Sequence, residues 1–208
     1  MPEFEDIITT REELREIVGE PIQRVKEKVM PALDRHCRNF IERSPFVIIS
    51  TSDGDGDGDV SPKGDPAGFV KILDNNTLAI PDRPGNRRVD GFENILQNPS
   101  VGLLFLIPGR NESVRVNGTA MIVRDEPLRQ SMSIRGKLPK LVLVVNVEEA
   151  FFHCSRCMIR SGLWEPDNWP SQDGLASMSE VMFDIGKGID KLEDIQTLIR
   201  ESETDKLY

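Results

Sequence analysis

The chain has few of the residues from which disulfide frameworks and cofactor-free active sites are built. Its 208 residues include three cysteines and two histidines. A small, odd number of cysteines excludes a secreted disulfide scaffold and is typical of a reducing compartment. The sequence also lacks a GxSxG elbow, a GxxxxGK loop and a GxGxxG turn after a predicted strand. These absences leave no sequence signal for a serine hydrolase, a P-loop or a dinucleotide fold.

Positive charge and long apolar runs are scarce as well. Twenty-six Lys and Arg residues stand against 35 Asp and Glu, which gives a net charge of −9. Nucleic-acid binding and attachment to an anionic membrane both need excess cations, so we expect neither partner. The longest apolar runs, 103–107 and 141–145, are strand-sized and too short to span a bilayer. The acidic first twenty residues lack a signal-peptide core, so a cytoplasmic location is expected.

Residues 1–44 are helical in character. Thr10 followed by Glu13 predicts a capping box for a short helix that ends near Gly19. From Ile22 to Ile41 apolar residues recur at helical spacing. Pro31 interrupts this pattern, and we expect either a kink there or a break with Pro31 opening a new helix.

Between residues 45 and 170 the pattern changes to strands. Runs of β-branched residues, alternating polarity and flanking turn signals predict seven extended segments. One begins at Val60, and the others cover 46–52, 68–73, 77–81, 101–107, 113–124 and 141–147. One helix is predicted over 86–98, and Gly118 indicates a β-bulge. Recurring strands with few helices favour an antiparallel barrel, closed or partly closed, over βαβ units. We expect residues 171–208 to form a C-terminal helical extension, with a terminal helix over 189–203.

Two metal-like motifs have simpler interpretations. DGDGDGD at 53–59 matches part of a calcium loop, but its twelfth position is Gly64, which has no ligand atom, and its flanks are strands. A solvated hairpin turn is therefore favoured. Cys154 and Cys157 form a CxxC pair without further ligands at suitable spacing, which favours ordinary reduced cysteines. We predict no metal site.

Two polar segments, 61–65 and 82–88, carry cations in an unusual place. Arg83, Arg87 and Arg88 cluster at the start of the predicted helix 86–98, where the helix dipole favours acids. Cations at that position favour a phosphate among them, and Lys63 of the first segment is in a position to join it. The alternative is that they are surface arginines paired with nearby carboxylates: Asp82, Asp90 and Glu93. From spacing alone both interpretations stand.

Several blocks of sequence, in this order, resemble the pyridoxamine 5′-phosphate oxidase-like family of FMN-binding split-barrel proteins. The similarity extends over roughly residues 20–170, and the blocks are DVSPKGD…LFLIPG at 59–109, ESVRVNGTA at 112–120 and FFHCSRCMIRSGLWEP at 151–166. The resemblance implies a mainly β, α+β fold: a six-stranded antiparallel split β-barrel with Greek-key connections and flanking helices. It also implies a homodimer with FMN in the crevice between subunits.

The resemblance further implies a set of cofactor contacts. Along the flavin ring it places Ser61, Pro62 and Lys63; at the end of the next strand, Ile80, Pro81 and Asp82; around the phosphate, Arg83, Asn86, Arg87 and Arg88; and from the second subunit, Ser113, Arg115, Arg160 and Trp164. Only the arginine cluster and Lys63 also follow from the residues themselves.

The implied function is that of an FMN-dependent oxidoreductase acting on a small substrate. The alternative is a non-enzymatic flavin or electron carrier, or a tetrapyrrole-binding module, on the same fold. The sequence departs from the vitamin-synthesising oxidases, because Ser61-Pro62-Lys63 replaces their Arg-x-x-x-x-Lys pattern and their Arg-x-His contact is missing. The resemblance therefore extends to fold and cofactor but not to their substrate, and it assigns no catalytic residue.

Overall fold

One antiparallel sheet of seven strands organises the chain in the computed structural model, which describes residues 3–186 and 191–208. The strands are β1 (Phe46–Ser52), β2 (Gly58–Gly64), β3 (Lys71–Ile72), β4 (Thr77–Pro81), β5 (Ser100–Leu106), β6 (Ser113–Val123) and β7 (Val142–His153). Their order across the sheet is β2-β1-β5-β6-β7-β4-β3. Every neighbouring pair is antiparallel.

The connections follow a Greek-key path. Two hairpins, β1–β2 and β3–β4, occupy opposite edges, and the β5–β6–β7 meander lies between them. The chain crosses from one edge to the other after β2 and returns after β4. The predicted mainly β split-barrel fold with flanking helices is thus confirmed, with seven strands instead of six. The additional strand arises because Asp74 closes a tight turn, accepting from the Asn76 amide and the Thr77 hydroxyl, and so pairs the two-residue β3 with β4.

Alternate residues of five strands point into one core. The cluster includes Val47 and Ile49 of β1, Leu78 and Ile80 of β4, Val101, Leu103 and Phe105 of β5, Val114 and Val116 of β6, and Leu143, Val145 and Val147 of β7. Since a flat sheet cannot bring β1 and β4, which have three strands between them, to one cluster, the sheet curls around its inner face. The period-2 burial along β5 and β6 is the alternation that the sequence shows.

Eight α-helices flank the sheet in the described residues: α1 (Arg11–Val18), α2 (Gln23–Glu27), α3 (Arg35–Ile41), α4 (Asp90–Gln97), α5 (Glu126–Ser131), α6 (Arg156–Ser161), α7 (Met178–Ile185) and α8 (Leu192–Thr204). The Thr10–Glu13 capping box forms both of its bonds, and Gly19 ends α1 as predicted. Helix α8 matches the predicted terminal helix, except that residues 189 and 190 lie outside the described residues. The division of the chain at residues 44 and 170 stays a prediction.

Two helix starts differ from the prediction. The helical pattern does break around Pro31, since α2 ends at Glu27, but Pro31 does not open the next helix. Met30 instead forms a β-bridge with Ala150, and α3 begins only after Asp34, whose carboxylate accepts from two backbone amides. Helix α4 begins at Asp90 and not at residue 86. The arginines therefore precede the helix, and its first turn carries acids, in agreement with the helix dipole. Helix α7 lies within the predicted helical extension 171–208, whereas α5 and α6 have no counterpart in the prediction, because they are short and weakly patterned.

None of the described helices combines the length and apolar character that crossing a membrane requires.

Gly118 is the bulge in β6, as the sequence indicates, since the register with β7 shifts between Asn117 and Gly118. A Cβ atom on this residue would lie 1.9 Å from the backbone oxygen of Asn146. We expect Gly118→Ala to lower the free energy of unfolding by about 3 kcal/mol, because two backbone segments must separate to admit the methyl group. Urea denaturation measures this loss. Gly85→Ala is the control, since nothing lies within 4 Å of its Cβ position; equal losses in both variants would contradict the packing argument.

Candidate functional site

A cavity of about 1090 Å³ lies between β2, at one edge of the sheet, and the loop that follows β4. Strand β2 forms one wall and the loop after β4 forms a second. Residues of β1, the start of α4, the loop before β7 and the segment Ser202–Tyr208 contribute most of the rest of the lining. Small-molecule sites usually measure roughly 300–1,000 Å³, so this cavity is large enough for a nucleotide-sized ligand. We refer to it as the cationic cavity, because arginine and lysine side chains recur along its lining.

The cationic cavity gathers most of the site residues that the sequence predicts for one subunit. They are Ser61, Pro62 and Lys63 of β2, and Asp82, Arg83, Asn86, Arg87 and Arg88 after β4. Ile80 and Pro81 do not line it: both are buried in β4, Ile80 within the core. Residues 61–63 and 82–88 thus line one space, although β2 and β4 have four strands between them in the sheet.

The loop between β4 and α4 has an unusual backbone. Arg87 and Val89 adopt φ values of 65° and 50°, in the left-handed region that non-glycine residues seldom enter. The Asn86 side chain accepts from the Arg88 amide and so closes the turn. A left-handed residue costs about 1–2 kcal/mol, and such strain is concentrated at functional sites. The loop is therefore held in a conformation that its own residues do not favour.

The three arginines have different partners. Arg83 donates from Nε to Oδ2 of Asp65 at 2.5 Å and from Nη1 to the Met132 carbonyl. Its carboxylate partner is 1% exposed, so the pair is buried. Arg88 pairs at the surface with Asp90 at 2.8 Å. The expected pairing with Asp90 is thus present, whereas Arg83 pairs with Asp65 and not with Asp82.

Arg87 is different from both. In the part of the chain that the structure describes, it makes no ion pair, and it is one of the residues that line the cationic cavity. Lys63 likewise lines the cavity without an ion pair among those residues. Unneutralised cations that share a concave surface favour an anion between them, even on a protein of net charge −9.

The structure adds three lysines that sequence reasoning missed: Lys137, Lys140 and Lys206. Asp82 lies half-buried in the same lining. Burial raises the pKa of its carboxyl, while the nearby charges of Lys63 and Lys140 oppose that shift. No local pattern marks these lysines, because residues 132–141 are an irregular loop and Lys206 reaches the cavity only through the path of α8.

The residues that the resemblance assigns to a second subunit lie away from the cationic cavity. Ser113 is buried and pairs with His153 across β6 and β7. The guanidinium of Arg115 stands 5.3 Å from the centroid of the Phe151 ring. Trp164 donates its Nε1 hydrogen to the carbonyl of Arg110 at 2.8 Å, and Arg160 is exposed in α6. Within one chain these side chains do not join the cavity.

The metal-like motifs are built as turns and free thiols. The Asp53 carboxylate accepts from the amides of Asp55 and Asp57, which closes the acidic hairpin loop. Cys154 and Cys157 are free and exposed. In residues 3–186 and 191–208, no group of three or more His, Cys, Asp or Glu side chains is arranged to hold a metal ion.

The three cysteine thiols should differ in their reactivity toward thiol reagents. Cys37 is fully buried, and burial together with a hydrogen bond to Asp34 raises its pKa to about 12. Because the thiolate is the reactive form, we expect an aromatic disulfide reagent to modify two thiols in the native protein and the third only in denaturant. Cys37→Ala should leave the native count at two. A native count of three would contradict the burial of Cys37.

The buried and exposed arginine pairs should contribute very differently to stability. Arg83→Ala leaves the buried Asp65 carboxylate without its cation, and we expect it to lower the free energy of unfolding by about 3 kcal/mol. Arg88→Ala removes an exposed pair and should cost less than about 1 kcal/mol. Chemical denaturation of the two variants beside the wild type measures both effects. A smaller loss for Arg83→Ala than for Arg88→Ala would contradict the burial argument.

Comparison with known proteins adds a family match over residues 33–154, which extend from just before α3 to the end of β7. The profile that matches there is described as pyridoxamine 5′-phosphate oxidase. No curated protein matched the chain in a sequence search.

Several solved structures are similar. HupZ of Group A Streptococcus is 22% identical over 58% of this chain and 93% of its own, with a TM-score of 0.46. An FMN-binding protein from Syntrophomonas wolfei is 13% identical over 69% of this chain and 94% of its own, with a TM-score of 0.44. An F420 reductase is 18% identical over 58% of this chain and 98% of its own, with a TM-score of 0.42.

Proposed function

Because the chain belongs to the pyridoxamine 5′-phosphate oxidase family, we propose that it is an FMN-binding flavoprotein and an oxidoreductase acting on a small substrate. The observation that carries this proposal is the cationic cavity, where Arg87 and Lys63 have no ion-pair partner among the described residues. An anionic cofactor that places a phosphate beside Arg87 would neutralise them.

The donor set of the cavity suits the parts of FMN. The phosphate needs cations and N–H donors, which the loop 82–88 supplies with guanidinium groups and an asparagine. The flavin ring needs apolar contact with a few polar groups, and Ile49, Pro62 and Leu143 line the same cavity beside Ser61. Both requirements are met within one cavity.

We assign the roles within this set as follows. Arg87 is the main phosphate ligand, and Asn86 and Arg88 shape the loop that presents it. Arg83, fastened by Asp65, offers the phosphate its remaining N–H groups. Ser61, Pro62 and Lys63 lie along the ring, while Ile80 and Pro81 at the end of β4 and Asp82 just after it support the ribityl chain.

FMN, when bound, supplies the hydride and electron chemistry, and the protein supplies orientation and electrostatics. The ammonium group of Lys63 would stabilise negative charge that develops beside it, since opposite charges attract more strongly near a protein surface than in bulk water. Asp82, whose pKa is raised by burial, lies in the same lining.

We propose further that the protein acts as a homodimer with one cofactor at each subunit crevice. Ser113, Arg115, Arg160 and Trp164 lie outside the cavity of their own chain. A second copy would bring them to it, with Arg160 and Trp164 facing the ring. Sedimentation of the protein together with its flavin content tests this assembly.

A flavin carrier is the second candidate, and the chemistry of the lining supports it. No histidine occurs among the described residues that line the cavity, so the commonest general base is missing there. The absorbance spectrum of the purified protein tests flavin binding. Anaerobic reduction by NAD(P)H followed by turnover with a panel of small acceptors supports the oxidoreductase; tight FMN binding without turnover supports the carrier. A colourless protein that does not quench added FMN would refute both.

Arg87→Ala tests the phosphate assignment directly. One hydrogen bond between charged groups contributes about 1.5–3 kcal/mol, so we expect FMN affinity to fall by about 10- to 100-fold. Titration of flavin fluorescence measures the affinity. Arg24→Ala is the matched control, because it removes the same charge from α2, outside the cavity lining. Unchanged affinity in Arg87→Ala would exclude Arg87 as a phosphate ligand.

A further inference from the structure

The segment Ser202–Tyr208, which follows the barrel in the chain, lines part of the cationic cavity. It comprises the last turn of α8 and the residues that follow, and Ser202, Glu203 and Lys206 are among its members that line the cavity. The end of α8 is well defined, because the amides of Asp205 and Lys206 both donate to the carbonyl of Glu201. The segment also lies outside residues 33–154, which the family profile matches.

Tyr208 fastens this segment to the barrel through three contacts. Its hydroxyl donates to Oδ1 of Asp65 at 2.6 Å. Its ring lies 4.9 Å from the guanidinium of Arg135, a cation–π distance. Its backbone carbonyl accepts from the ammonium of Lys137. The partners come from the end of β2 and from the loop before β7, which are two separate walls of the cavity.

Asp65 connects this fastening to the proposed phosphate site. One carboxylate oxygen accepts from Tyr208 and the other from Arg83. The side chain is 1% exposed, so water does not compete for either oxygen. The position of Tyr208 and the position of the Arg83 guanidinium are therefore set by the same buried group.

The segment is a wall of the cavity and not a plug in it. The cavity retains about 1090 Å³ with Ser202–Tyr208 in place. Opening the segment would expose the cavity from the side of α8, whereas closing it leaves room for a nucleotide-sized ligand.

We propose that Ser202–Tyr208 is a strap that closes over the bound ligand and slows its release, with the hydrogen bond between Tyr208 and Asp65 as its fastening. This inference rests on the proposed FMN site for the identity of the ligand. A strap of this kind changes the rate of dissociation more than the rate of association, because it must open before the ligand leaves.

Tyr208→Phe tests the strap, because it removes the hydroxyl and keeps the ring beside Arg135. We expect FMN to dissociate about tenfold faster, since the hydrogen bond to the buried carboxylate stabilises the closed state. Recovery of flavin fluorescence after dilution measures the rate. Thr204→Val is the control: it removes a hydroxyl from the same helix that bonds only within the helix and lies outside the cavity lining.

A measurement without ligand tests the fastening itself. Tyr208 is the single tyrosine of the chain, so phenolate absorbance reports on it alone. The hydrogen bond to Asp65 is the main cause that raises the pKa of Tyr208 above its ordinary value. We expect the wild type to titrate above the range of a free tyrosine and Asp65→Asn to titrate closer to it. An ordinary titration in the folded wild type would overturn the fastening.

The outcomes separate the strap from the proposed function. Equal FMN release from Tyr208→Phe and the wild type overturns the strap and leaves the flavin site intact. If FMN associates faster with Tyr208→Phe while its release is unchanged, the segment blocks entry instead of retaining the ligand, and the strap proposal is overturned as well. A wild-type protein that does not bind FMN refutes the proposed function, and the strap as a flavin-retaining device is refuted with it.

Discussion

The buried carboxylate of Asp65 holds together three parts of the chain that are remote in sequence. It lies just beyond β2, it binds Arg83 eighteen residues later, and it accepts from Tyr208, 143 residues later. A charge this deeply buried needs partners on both oxygens, because an unpaired one would lose its hydration without compensation. The walls of the cationic cavity, formed by β2, the loop after β4 and the strap, are thus tied to one group.

This arrangement explains how an acidic protein presents a cationic cavity. Asp65 and Asp90 neutralise much of the charge of Arg83 and Arg88, so these two arginines shape the loop more than they attract a ligand. Arg87 has no such partner among the described residues, and its left-handed backbone places it in the turn that the other two support. A cavity of this kind selects a small anion and not an extended polyanion, because the cations converge in a concave site instead of covering a face.

Local signals in the sequence predicted much of the fold. The capping box at Thr10, the β-branched run of β1, the hairpin around Asp74 and the bulge at Gly118 all depend on residues a few positions apart, and all are present. The predicted start of α4 was wrong by several residues, because the left-handed residues Arg87 and Val89 are not glycines and the sequence therefore does not indicate the turn. The start of α3 was wrong because Met30 pairs with Ala150, a contact between residues far apart in the chain.

For the site, the local sequence alone indicates which cations are candidates for ligand binding. Lys63 and the arginines at 83, 87 and 88 lie in segments rich in turn-forming residues. Which of them are neutralised, and what else surrounds them, follows only from the way the chain folds in space. The pairing of Arg83 with Asp65, the lysines of the loop before β7 and the approach of Tyr208 all join residues that no local pattern relates. Ion pairing and burial depend on distances in space, and those are set when the sheet curls and α8 packs beside it.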